Sequence, residues 1–184
     1  MRHSTLLDRQ HTGLLAVDIQ ERIHAVMRFR EEVQNNAVKL IRGCQLLRVP
    51  IFLTEQYPQG LGHTIAPIRF ALQATLPLQK MTFSCCGSEE VMANLQEKGI
   101  RQVVLAGIET HVCVLQTALD LLANQYQVHI ARDAVSSRKE LDHHTALERL
   151  AQAGAILTTT EAVLFELMGR ADIPEFKEIS KLIK

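Results

Sequence analysis

The chain has no net charge of either sign, no apolar run long enough for a membrane, few cysteines and few aromatic residues. Lysine plus arginine number 20 and aspartate plus glutamate number 20, so no global field would draw the protein onto nucleic acid or an anionic membrane surface. Neither is expected as a partner. The longest apolar runs are of strand length, and Asp8, Arg9, Gln10 and His11 interrupt the hydrophobicity near the N-terminus. No transmembrane helix or signal peptide is expected there, which makes a cytoplasmic location the expectation. The four cysteines, Cys44, Cys85, Cys86 and Cys113, are too few for a disulfide framework and lack zinc-ligand spacing, so free thiols are expected. With 6 phenylalanines, 2 tyrosines and no tryptophan, an aromatic near a strand end is conspicuous. Tyr57 and Phe83 are candidate pocket walls, with plain core as the alternative.

What is present is an alternation of short β-rich runs with helical segments. The runs are 12–18, 50–54, 102–108, 127–133 and 154–159. Their near-continuous hydrophobicity suits strands covered on both faces, as in a parallel sheet. Between the first two, Val33, Ala37, Leu40, Ile41, Cys44 and Leu47 fall on one helical stripe and predict a crossover helix. Ser137 with Glu140 and Thr158 with Glu161 fit capping boxes, and Ser88 precedes a segment with acids in its first turn. The pattern predicts one domain over residues 1–184: a three-layer α/β/α fold with a mostly parallel, doubly wound sheet. Ligands of such sheets sit at the carboxyl ends of the strands. The long irregular stretch from Glu55 to Phe70, rich in glycine and proline, follows the second strand and is a candidate functional loop. No glycine-rich phosphate loop follows the first strand, where Asp18-Ile19-Gln20-Glu21 stands instead, so a nucleotide site is disfavoured.

Three polar residues fall near strand ends: Asp18, Lys80 and Cys113. If they meet in one crevice, the carboxylate can take the thiol proton, and the ammonium can hold the carboxylate and stabilise charge. Backbone N–H groups at the start of the helix after Cys113 could receive an oxyanion. The same surroundings would be expected to lower the thiol's pKa. Each residue also has a plainer reading: a buried apolar thiol, a turn-capping aspartate, a solvated lysine. Cys85 and Cys86 read as small residues lining a pocket. His111, two residues before Cys113, is not expected to pair with it, and His143 and His144 face different ways on a helix.

The segments "AVDIQ", "QKMTFS", "AGIETHVCVLQTALDLL" and "ARDAVSSR" together resemble the isochorismatase-like cysteine hydrolases, a family that includes nicotinamidases and N-carbamoylsarcosine amidases. The most specific piece is Gly107-x-x-Thr110-x-x-Cys113-Val114. The loop "TEQYPQGLGHT" most resembles that of uncharacterised isochorismatase-domain proteins. The resemblance implies Cys113 as the nucleophile of an acyl-thioester, Asp18 as general base and later proton donor, and Lys80 as the charge that positions Asp18 and polarises the substrate. It also implies a cis peptide between Ile108 and Glu109, an oxyanion hole made by the Glu109 and Cys113 amides, and a pocket including Gln20, Gln56, Tyr57 and Phe83. Nicotinamidases of this family hold a metal with an aspartate and histidines after the second strand. Here Glu55, Gln56 and the single His63 stand in that region, so neither metal nor cofactor is expected. Retention of the cysteine favours a small amide or other carbonyl substrate over the vinyl ether of true isochorismatases, in which Asp18 would act as an acid. A non-catalytic, redox-sensitive thiol or ligand-binding protein is the alternative from another class. The resemblance further implies a homo-oligomer. The apolar C-terminal pieces at 162–168 and 173–184 could supply its interface or pack within the chain.

Overall fold

The computed structural model describes residues 2–72 and 75–184. Six strands form one sheet: β1 Thr12–Val17, β2 Ile51–Gln56, β3 Leu78–Lys80, β4 Gln102–Ile108, β5 Gln127–Ser136 and β6 Ile156–Thr158. Their order is β3-β2-β1-β4-β5-β6, and every neighbouring pair is parallel. The chain therefore winds outward from β1 to one edge, returns to β4 beside β1, and winds to the other edge. The order reverses between β1 and β4, and the crevice beyond their carboxyl ends is where such sheets take ligands.

The helices are α1 Glu21–His24, α2 Arg30–Leu46, α3 Pro58–Leu61, α4 Ala66–Leu72, α5 Glu89–Glu97, α6 Leu115–Ala123, α7 Glu140–Gln152, α8 Thr160–Met168 and α9 Phe176–Ile183. Alternation along each strand divides the core between two faces. Leu14 and Ala16 of β1 join a cluster with Leu40 and Ile41 of α2, Ile68 of α4, Leu164 and Leu167 of α8, and Ile179 of α9. Leu15 and Val17 join the opposite cluster, with Val91 and Leu95 of α5, Leu121 of α6, and Leu147 and Leu150 of α7. The result is the three-layer α/β/α arrangement with a doubly wound parallel sheet that the strand pattern predicts. The stripe assigned to α2 is buried, and Val163, Leu164, Leu167 and Met168 of α8 and Ile179 of α9 pack within the chain, while Phe165 of α8 is exposed.

The local differences have identifiable causes. The stretch from Glu55 to Phe70 is not one irregular loop: β2 continues to Gln56, and α3 and α4 follow. Pro58 supplies the first turn of α3, a position where a missing N–H is harmless. Ser137 does not cap α7, whose N-terminal flank is Lys139 without a side-chain bond. The Ser137 hydroxyl instead lies 2.9 Å from Nδ1 of His111. Thr159, not Thr158, caps α8 by accepting from the Ala162 amide at 3.4 Å. Ser88 does flank α5, but its side chain makes no cap bond. Strand β5 extends to Ser136 through a register irregularity opposite β4, three residues beyond the hydrophobic run.

Candidate active site

Asp18 is the first residue after β1, and its left-handed backbone (φ 51°) turns the chain off the sheet. Aspartate tolerates that conformation better than most residues. Strand β4 presses against this point: Val17 pairs with Gly107, where a Cβ would lie 2.1 Å from the Val17 carbonyl oxygen and φ is +134°. Only glycine fits both the contact and the dihedral. The first glycine of the Gly-x-x-Thr-x-x-Cys pattern thus lets β4 carry its terminal turn up to the end of β1.

The Asp18 side chain is buried, at 1 % exposure, and both oxygens are satisfied. Oδ2 accepts from Lys80 Nζ at 2.6 Å and Oδ1 from the Thr54 hydroxyl at 2.8 Å. Lys80, the last residue of β3, is also buried, at 5 % exposure. Besides Asp18, its ammonium donates to Gln56 Oε1 at 2.9 Å and to the Thr82 and Phe83 carbonyls, each at 3.1 Å. An ammonium has three protons, and four protein acceptors surround this one, so its charge acts through Asp18. Burial on its own would lower the Lys80 pKa, but its surroundings, the Asp18 carboxylate foremost, outweigh burial and hold it above the ordinary lysine value.

Cys113 lies in a turn of π-helical form, Thr110–Val114, which leads from β4 into α6. It is 6 % exposed. Burial pushes its thiol well up, the Asp18 charge and hydrogen bond add to that, and Lys80 opposes it. The sequence-based expectation of a lowered thiol pKa is therefore reversed, because a thiolate would be desolvated beside an existing carboxylate. In the resting site the proton therefore sits on the Cys113 sulfur. The peptide between Ile108 and Glu109 is cis.

The turn bearing Cys113 is fastened to the segment after β5 by four polar contacts between three residue pairs. The buried Glu109 carboxylate accepts from the Arg138 amide and Nε at 3.0 and 3.1 Å. Thr110 Oγ1 lies 2.9 Å from His143 Nδ1, and His111 Nδ1 lies 2.9 Å from the Ser137 hydroxyl. His111 is thus engaged away from the thiol.

The proposed pocket residues take different positions. Gln20 is fully buried: its amide donates to the Gln56 and Gly62 carbonyls at 3.0 and 2.7 Å and accepts from the Gln56 amide at 2.8 Å. It staples the end of β1 to β2 and to the turn after α3. Gln56 bridges Lys80 and the Met81 carbonyl. Tyr57 and Phe83 are half exposed, at 46 % and 54 %. Near His63, the buried Glu55 gives one oxygen to the Thr64 amide and hydroxyl at 2.6 and 2.7 Å, and the other lies 3.5 Å from His63 Nδ1. Among the described residues no group of three or more histidine, cysteine, aspartate or glutamate side chains could hold a metal ion. Sequence reasoning missed Thr54, which reads as β-branched strand filler, and it gave Cys85 only as a small pocket-lining residue, without the contact of its Sγ with the Thr54 hydroxyl at 3.7 Å. Neither carries a signal separable from packing.

Comparison with known proteins adds independent information. The model of the isochorismatase domain matches residues 12–162. Isochorismatase domain-containing protein 2 of Bos taurus is 43 % identical over 171 residues, covering 93 % of this chain and 82 % of that protein. Isochorismatase domain-containing protein 1 of Salmo salar is 40 % identical over 173 residues, covering 94 % of this chain. The chain spans 61 % of that relative's length. Among solved structures, one described as the MAR1 ribonuclease of Caenorhabditis elegans superposes with a TM-score of 0.92 at 40 % identity, over 97 % of this chain and 92 % of the other. Among the described residues no helix is long and apolar enough to cross a membrane.

Proposed function

This chain belongs to the isochorismatase family, and from that premise we propose that it is a cysteine hydrolase of small amides or related carbonyl compounds. The observation that carries the reading is the buried Lys80–Asp18 pair, at 2.6 Å, set beside the Cys113 thiol at the reversal point of the sheet. A carboxylate paired with a buried ammonium next to a protonated thiol is a base poised to activate a nucleophile.

In this mechanism the Cys113 sulfur attacks the substrate carbonyl carbon while its proton passes to Asp18. The oxyanion accepts hydrogen bonds from the Glu109 and Cys113 backbone amides. Collapse breaks the carbon–nitrogen bond, and the leaving amine takes the proton held by Asp18. Water then gives a proton to Asp18 and attacks the thioester carbon, and collapse of that second adduct returns the proton to sulfur and releases the carboxylic acid. Lys80 remains an ammonium throughout and keeps the carboxylate in place. Tyr57 and Phe83, at the rim, would contact the substrate beyond the reacting carbonyl. A homo-oligomer is part of the same proposal, and sedimentation velocity would register it as a species heavier than 20.7 kDa.

The test is ammonia release from a panel of small amides, nicotinamide and carbamoyl compounds among them, by the wild type and by Cys113→Ala. Release by the wild type alone is expected. Retained turnover in Cys113→Ala overturns the thioester. An RNA oligonucleotide joins the panel because of the name carried by the Caenorhabditis elegans neighbour. Cleavage of RNA with no turnover of any amide overturns the substrate class.

A further inference from the structure

Resting on the hydrolase reading above, we propose that Thr54 is a positioning residue that fixes the Asp18 carboxylate through its side-chain hydroxyl, with the Cys85 thiol holding that hydroxyl in turn. Thr54 is fully buried on β2, where it pairs with Val17, and its carbonyl accepts from the Asp18 amide at 3.3 Å. Its side chain reaches the same residue: Oγ1 donates to Asp18 Oδ1 at 2.8 Å, while Lys80 occupies Oδ2. A threonine hydroxyl has one proton, and a carboxylate can only accept it, so the contact with Cys85 Sγ at 3.7 Å has the thiol as donor.

The polarity of this chain is fixed at both ends. Burial, reinforced by the Asp18 charge, pushes the Cys85 thiol up to about 12, so it remains a donor at any ordinary pH. The Cys85 backbone is anchored separately, its amide donating to the Thr117 hydroxyl of α6 at 2.9 Å. The charged and titratable groups around Thr54 are accordingly Asp18 after β1, Lys80 on β3, Cys85 in the turn before α5, and Cys113 before α6. Held by donors on both oxygens, Asp18 cannot rotate about its terminal torsion. It presents a fixed lone pair to Cys113.

Alkylation of Cys113 by iodoacetamide, followed by peptide mass spectrometry across pH in wild type, Thr54→Val and Thr54→Ser, tests the idea without a known substrate. In Thr54→Val the acid limb of the rate profile should move up by about one pH unit, with a roughly tenfold slower reaction at a fixed pH on that limb. Thr54→Ser, which keeps the hydroxyl, should restore both. If valine prevents folding, Thr54→Ser against Thr54→Ala poses the same question, since both have lost the methyl group and differ only in the hydroxyl. Packing at this position would change thermal stability in the variants without moving the limb. An unchanged limb in the hydroxyl-free variants, with Cys113 still alkylated in the wild type, overturns the role of Thr54 alone. Absence of pH-dependent alkylation in the wild type overturns the hydrolase reading and this inference with it.

Discussion

Asp18 and Lys80 form the kind of ion pair whose loss is costlier than its presence is stabilising. Both side chains are almost completely buried, so removal of one leaves the other desolvated and unpaired. Lys80→Met should therefore destabilise the fold by about 3 to 5 kcal/mol, measured by urea unfolding. Asp18→Asn should be milder in stability, because an amide still accepts from Lys80. Its turnover should fall by about two to four orders of magnitude, because an amide cannot take the thiol proton. Stability close to wild type in Lys80→Met would mean that Asp18 finds another counter-ion. At this scale the sequence made Asp18, Lys80 and Cys113 legible through ordered motifs, and the structure places Lys80 against Asp18 beside Cys113. It did not make Thr54 legible, since a threonine at the end of a β-rich run carries no mark of what its hydroxyl touches.

At the scale of elements, the site depends on how closely β4 can approach β1. Gly107→Ala puts a methyl group 2.1 Å from the Val17 carbonyl oxygen at a φ that alanine avoids. A drop in thermal midpoint of several degrees, together with loss of Cys113 reactivity, is the expected outcome, read by calorimetry and alkylation. The turn after β4 is tied sideways as well. Arg138→Ala removes the Nε contact to Glu109, while the Arg138 backbone amide still donates to the same carboxylate. A stability loss of at most about 1 kcal/mol is expected from that variant, as for a partly exposed pair. The same contacts explain why the capping expectation at Ser137 failed: the hydroxyl has a tertiary partner in His111. Local rules assign a serine to the nearest helix end, and a side chain from another element can outbid it.

For the molecule as a whole, the most consequential buried group outside the site is His129 on β5. It is 1 % exposed, and among the described residues neither ring nitrogen has a hydrogen-bond partner. Burial lowers its pKa from 6.5 to about 4. The unfolded chain therefore binds this proton first as pH falls, and the native state loses stability from about pH 6.5 down to about 4, by on the order of 3 kcal/mol. Above that window the contribution is constant. Urea unfolding at pH 7 and pH 4.5 should show the loss in the wild type and a smaller one in His129→Leu, and equal losses would place the acid sensitivity in the carboxylates. The amino-acid sequence by itself determined the strand and helix alternation, the division of apolar residues between two faces and the family motifs, because these follow from local periodicity and from residues close in the chain. Only the tertiary structure decided the strand order that puts β1 next to β4, the saturation of Lys80 by four acceptors and the upward shift of the Cys113 thiol. Those depend on burial and on distances between segments far apart in sequence, and neither quantity exists until the sheet has closed around them.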